Sequence, residues 1–93
     1  MTINEAMRTY RLPNPTTPED LECRWSKVLN FGDKVLLAGY FYNGQNKPCY
    51  FGAVYEYLDD EEKHDCEIAI GLYAASEVEF EDDGHAIAWA MQQ

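Results

Sequence analysis

Few side chains in this sequence could do covalent chemistry. The nucleophiles are Cys23, Cys49, Cys66, Ser26 and Ser76, with His64 and His85 as bases. No nucleophile-elbow sequence or cysteine-enzyme signature surrounds any of them. His64 and Cys66 offer two metal ligands, and Cys23, Cys49 or His85 could add more. Structural zinc sites, however, come as tight Cys-x-x-Cys or His-x-x-x-His pairs, and neither pattern occurs. Residues 59–65 (DDEEKHD) lack the alternating acids, central glycine and closing glutamate of a calcium loop. The glycines stand singly, not in a phosphate-cradling run. Carboxylate pairs for glycoside chemistry would have to be chosen at will, in a chain too short for much of a cleft. The sequence therefore predicts a protein that is not an enzyme, with no cofactor and no metal.

What remains is recognition by charge. Residues 1–55 carry six Lys/Arg and five Asp/Glu, a balance of +1. Residues 56–93 carry twelve acids and one base, Lys63, a balance of −11. Such a field repels nucleic acids and anionic membranes, whose binding requires phosphate neutralisation by Lys and Arg. It attracts a basic protein surface and speeds the encounter. Solubility alone would also account for the charge, as would protection of sheet edges against aggregation, but twelve acids against one base exceed what edge protection requires.

The elements that must present these acids follow from the pattern. In residues 77–84 (EVEFEDDG) acid alternates with apolar and then closes on Asp-Gly, the signature of a strand entering a tight turn. A two-residue hairpin across Asp83-Gly84 pairs Phe80 with Ile87 and Val78 with Trp89, and sets Glu77, Glu79 and Glu81 against alanines. Alternate side chains on a strand lie about 6.6 Å apart, so these three would form a straight carboxylate row, extended by Asp82 and Asp83. The row is sparser than a DNA strand, with its phosphate per about 3.4 Å of axis. The cluster from Glu56 to Glu67, which includes Asp59, Asp60, Glu61 and Glu62, could supply a parallel line, and two such lines could imitate a phosphate backbone. The rival reading of the C-terminus is a helix from Asp83, favoured by its alanines and by the spacing of Ile87 and Met91.

Upstream, residues 2–10 could hold a short helix, closed by Pro13 and Pro15. Thr17 as N-cap, Pro18 at the first helical position and the acids Glu19 and Asp20 start a second helix. Leu21, Trp25, Val28 and Leu29 continue it as one apolar stripe, so the helix is expected over residues 18–29, with Asn30 and Gly32 as its stop. Residues 34–42 and 48–58 read as a hairpin with Tyr42 opposite Pro48, Tyr40 opposite Tyr50 and Leu36 opposite Val54. A third strand, 66–73, would set Val54 against Ile70 and Gly52 against Leu72. The even-numbered face (Leu36, Ala38, Val54, Leu58, Ile68, Ile70, Leu72) is then the core for the helix to cover. The odd face, with Val35, Leu37, Phe41, Phe51, Tyr55, Tyr57 and Tyr73, is too apolar for water. Either the N-terminal segment or the last hairpin folds across it, or part of it binds a partner or a second copy.

The expected fold is α+β: one domain, with a small antiparallel sheet of about four to five strands packed on the 18–29 helix. Three widely spaced cysteines imply no disulfide framework, and neither a signal segment nor a bilayer-length apolar run occurs; a reducing, cytoplasmic setting follows. The expected function is a non-enzymatic inhibitor or interaction module. Its acidic surface would bind a basic, nucleic-acid-handling protein, with Tyr55, Tyr57 and Tyr73 as anchors and no direct contact with nucleic acid or membrane. By class-level analogy, compact acidic domains without motifs are common among phage and prophage anti-defence proteins, including anti-CRISPR inhibitors and nucleic-acid mimics. An immunity protein or antitoxin against a basic nuclease, or a homodimeric structural subunit, are the alternatives.

Overall fold

The computed structural model describes residues 2–25, 27–42, 45, 47–58, 69–77 and 79–93. Three helices and four strands follow in the order α1 (Ile3–Tyr10), α2 (Pro18–Arg24), β1 (Lys27–Phe31), β2 (Lys34–Tyr42), β3 (Pro48–Tyr57), β4 (Ile70–Ala75) and α3 (Asp83–Met91). The strands form one antiparallel sheet in the order β1-β2-β3-β4. The α+β class and the small antiparallel sheet stand as expected.

The two N-terminal helices start where their caps dictate. Thr2 caps α1 by accepting a hydrogen bond from the Glu5 amide at 3.1 Å, and its hydroxyl donates to the Glu5 carboxylate at 3.0 Å. Thr17 caps α2 through the Asp20 amide, with Pro18 at the first position. The second helix is shorter than expected. It ends at Arg24, Trp25 is extended at φ −126°, and residues 27–31 form a strand. Gly32, read from sequence as a helix stop, is instead the first residue of a two-residue hairpin turn between β1 and β2, at φ 65°. Pairing Val28 and Leu29 with β2 gives their branched side chains a better place than a frayed last helical turn.

The β2–β3 hairpin has the expected register throughout, from Lys34 opposite Glu56 to Tyr42 opposite Pro48. The β4 register does not. Ile70 pairs with Tyr57 and Leu72 with Tyr55; after an irregularity at Tyr73, Ala74 pairs with Val54 and Ala75 with Ala53. A shift by three residues moves β4 to the opposite face. Ile70 and Leu72 therefore pack with the odd-numbered side chains of β2 and β3, and not with Leu36 and Val54.

Both faces of the sheet are covered. The odd face, with Val35, Leu37, Phe51, Ala53 and Tyr55, is buried under α1 and α2 through Ala6, Tyr10, Leu12 and Leu21. Tyr10 stacks on Phe51 at 3.9 Å between ring centroids, and its hydroxyl donates to the Ser76 carbonyl at 2.9 Å. The N-terminal segment thus supplies the expected cover for the apolar odd face. The helix expected on the even face lies on the odd face, and α3 takes its place over Leu36, Ala38 and Val54.

That helix overturns the C-terminal hairpin. Asp82 accepts from the His85 amide at 2.8 Å and caps α3, so Asp83-Gly84 opens a helix and does not turn a hairpin. The alanines decide it. Ala86 and Ala90 are small enough to bring α3 down on the bare backbone of Gly52, where a Cβ would lie 2.6 Å from the Ala86 carbonyl oxygen and 2.8 Å from Trp89.

Candidate functional site

The acidic segment around Glu79 is positioned by one pair of backbone bonds. After β4 the chain turns at Ser76, whose amide donates to the Gly52 carbonyl and whose hydroxyl accepts from the Gly52 amide. Phe80 then forms an isolated bridge with Tyr50, its amide donating at 2.7 Å and its carbonyl accepting at 2.9 Å. Among the described residues no strand runs through this segment, so the expected strand does not line Glu77, Glu79 and Glu81 up in a straight row. Glu77, Glu79 and Glu81 are exposed all the same, and the last two flank the pinned Phe80. Asp82 and Asp83 belong to the start of α3, where acids suit the positive end of the helix dipole. The hydrogen bond from the His85 amide, aided by the His85 ring 2.8 Å away, holds the Asp82 carboxyl below its ordinary pKa.

Glu79 and Glu81 border an open hollow of about 560 Å³, with Lys47, Pro48 and Cys49 across it and Phe80 between them. Tyr42, opposite Pro48, is 63% exposed, and Tyr40, opposite Tyr50, is 49% exposed. Their rings meet edge to face at 6.1 Å, and Tyr40 lies 6.1 Å from the half-buried Tyr50. One end of the sheet therefore carries both exposed tyrosines and exposed carboxylates. This combination suits a protein interface, because tyrosine gives large contact area at little entropic cost while carboxylates steer a cationic partner.

The tyrosines expected as anchors are elsewhere. Tyr55 is fully buried, and its hydroxyl donates to the Pro13 carbonyl at 2.7 Å, so it has no surface to offer. Tyr57 and Tyr73 are exposed, but at the far end of the sheet, where Tyr57 reaches Asn30 and Tyr73 lies 4.7 Å below the Lys34 ammonium. Asp59, Asp60, Glu61 and Glu62 lie outside the described residues. The residues that bracket them, Leu58 and Ala69, are joined by a backbone hydrogen bond near Tyr57. Tyr57 is seven residues along β3 from Tyr50, about 23 Å, so Leu58 and Phe80 lie towards opposite ends of the sheet. Tyr40 and Tyr42 were missed by sequence reasoning. Their register was legible; that α3 stops short of them was not.

Three of the groups that might react have structural partners, while Ser26, His64 and Cys66 lie outside the described residues. The Cys49 thiol donates to the Lys47 carbonyl at 3.6 Å, the Ser76 hydroxyl holds Gly52, and the His85 ring is paired with Asp82. Among the described residues, no three His, Cys, Asp or Glu are grouped to hold a metal ion, and no helix is long and apolar enough to cross a membrane.

No curated protein and no solved structure matches this sequence. A family model does: the one described as Nucleotide modification associated domain 4 matches residues 12–93, which takes in α2, the whole sheet, the acidic segment and α3. The chain belongs to the Nucleotide modification associated domain 4 family.

Proposed function

We propose that this domain is a non-enzymatic binding module that docks, through the end of the sheet bearing Tyr40, Tyr42, Glu79 and Glu81, on a basic protein that handles or modifies nucleotides. The observation that carries the reading is that one end of the sheet bears both exposed tyrosines and exposed carboxylates, on a framework fixed by the Tyr50–Phe80 bridge. Proteins that act on nucleic acid present Lys and Arg to phosphate. A domain of charge −10 is attracted to such a surface and, once docked, competes with phosphate for it. That competition makes it an inhibitor of its partner, the mode of action of an anti-defence protein. The family's description supports the link to nucleotide chemistry. The exposed free thiol of Cys23 suits a cytoplasmic setting.

The test is capture from lysate of the source cells on the immobilised domain, eluted with rising salt. Three baits are compared: the natural chain, the Glu77→Gln/Glu79→Gln/Glu81→Gln variant and the Tyr40→Ser/Tyr42→Ser variant. A basic nucleotide-handling protein retained by the natural chain, released at moderate salt and lost from both variants, supports the proposal. Retention indifferent to salt and to all five substitutions would sink it.

A further inference from the structure

The two outer edges of the sheet are treated differently by the rest of the chain. Along β4, Thr16 exchanges both backbone hydrogen bonds with Ile70, at 2.9 and 2.8 Å, and the Asn14 side chain accepts from the Leu72 amide at 3.0 Å. That edge is closed over much of its length. Along β1, nothing among the described residues pairs with the outer edge. Natural sheets normally blunt such an edge with proline, a bulge or several charges. β1 reads Lys-Val-Leu-Asn-Phe, with one charge and no proline, and it leaves Leu29 42% and Phe31 49% exposed.

We infer that β1 is a self-association edge, on which a second copy of this chain pairs antiparallel through its own β1. The hydrogen-bonding pattern supports this. The turn at Gly32-Asp33 closes on Phe31 and Lys34, so in the antiparallel ladder Phe31 and Leu29 direct their backbone groups at β2. Val28 and Asn30 direct theirs outward. A two-fold axis through Leu29 sets Val28 opposite the partner's Asn30 and Asn30 opposite the partner's Val28, so every outward amide and carbonyl finds its complement. Leu29 meets the partner's Leu29 at the close, non-hydrogen-bonded position, and Phe31 meets the aliphatic stem of the partner's Lys27.

The charges agree. The acids are concentrated in residues 56–93, whereas β1 and its turn carry Lys27, Asp33 and, opposite Phe31, Lys34. Among the described residues it is an open edge of the sheet where two copies of a −10 chain meet without setting carboxylate against carboxylate. A pairing of five residues buries less than a standard interface, so the dimer is weak, with a dissociation constant of about micromolar or above. Because the long-range repulsion between copies is screened by salt, the dimer tightens as salt rises. That is the opposite of the trend expected for docking on a basic partner.

The experiment is sedimentation equilibrium of the whole chain from about 10 µM to about 1 mM, at low and high salt. Asn30→Pro removes an outward amide and leaves the bonds to β2 intact, and should weaken the dimer by about tenfold or more. Leu29→Glu and Leu29→Lys should each be monomeric alone, and should form a one-to-one dimer when mixed, because residue 29 faces its own copy only in this register. Far-ultraviolet circular dichroism establishes that each variant is folded. A natural chain that is monomeric throughout overturns the proposal. So does a dimer indifferent to Asn30→Pro, or a Leu29→Glu/Leu29→Lys mixture that stays monomeric.

Discussion

Phe80 and Tyr50 exchange both backbone hydrogen bonds across the end of the sheet, and these are the only residues at which the acidic segment is paired with β3 among the described residues. A single bridge has no cooperative neighbours. The segment therefore depends on the Phe80 side chain, which is half-buried against the cluster beneath α3 that includes Leu36, Val54 and Ile87. Phe80→Ala is expected to cost about 2 kcal/mol, less than a fully buried phenylalanine. It should also release Glu79 and Glu81 from their fixed positions. Urea denaturation checks the first effect. Faster amide exchange at Tyr50 and Phe80 checks the second.

Gly52→Ala should be among the most damaging small substitutions. The added methyl would sit 2.6 Å from the Ala86 backbone oxygen, and a helix backbone cannot swing aside as a side chain can. We expect α3 to lift, at a cost of roughly 1–3 kcal/mol. The half-buried Trp89 should become more exposed, which its fluorescence emission would register as a red shift.

Two buried phenols predict an alkaline limit to stability. Burial pushes the Tyr55 hydroxyl far above its ordinary value of 10.0, an effect that nearby Arg24 offsets only in part. Burial, reinforced by Glu79, raises Tyr10 as well. Both are neutral when folded and ionise more easily when unfolded. Their contribution is therefore complete below pH 10 and is lost as pH rises through the folded values, by up to about 1.4 kcal/mol per pH unit for each group. Tyr10→Phe/Tyr55→Phe should be less stable at pH 8, because the Ser76 and Pro13 carbonyls lose their donors. Its stability should then fall less steeply between pH 10 and 12. Unfolding curves at several pH values decide the matter.

Asp82 sets the opposite limit. Its carboxyl is held below its ordinary 3.8 by the His85 amide, so its capping contribution is present above that value and fades as pH falls through the depressed one. Asp82→Ala should lower the melting temperature at pH 7, whereas Asp82→Asn, which still caps, should retain most of it. The asparagine variant should also show a flatter acid limb. Thermal melts from pH 2 to 7 distinguish the three chains.

The legible parts of this fold are those in which a short-range signal has no competitor. Thr17-Pro18 begins a helix, and the five residues between Tyr42 and Pro48 fix the β2–β3 register, because turn length and alternation agree. The misread parts are those in which two local signals compete and a distant contact decides. Trp25, Val28 and Leu29 continue a helical stripe from Leu21, yet Val28 and Leu29 are drawn off by the hairpin that Gly32 permits. Asp82-Asp83-Gly84 suits a hairpin turn and a helix start equally well; the vacancy over Gly52, which only a helix with small residues can fill, selects the helix. The β4 register depends on the irregularity at Tyr73, which no residue type announces. The same helix hid the candidate site. Only with α3 in place can Tyr40 and Tyr42 be seen to stand clear of it, at the same end of the sheet as Glu79 and Glu81.

Finally, the family likeness begins at Leu12, yet Ala6 and Tyr10 of α1 are both buried in the core with the sheet. The stretch by which this protein is recognisable as kin and the stretch that folds as one body are of different lengths. A fragment cut to the recognisable stretch would bare Phe51 and leave the Ser76 carbonyl without its phenol.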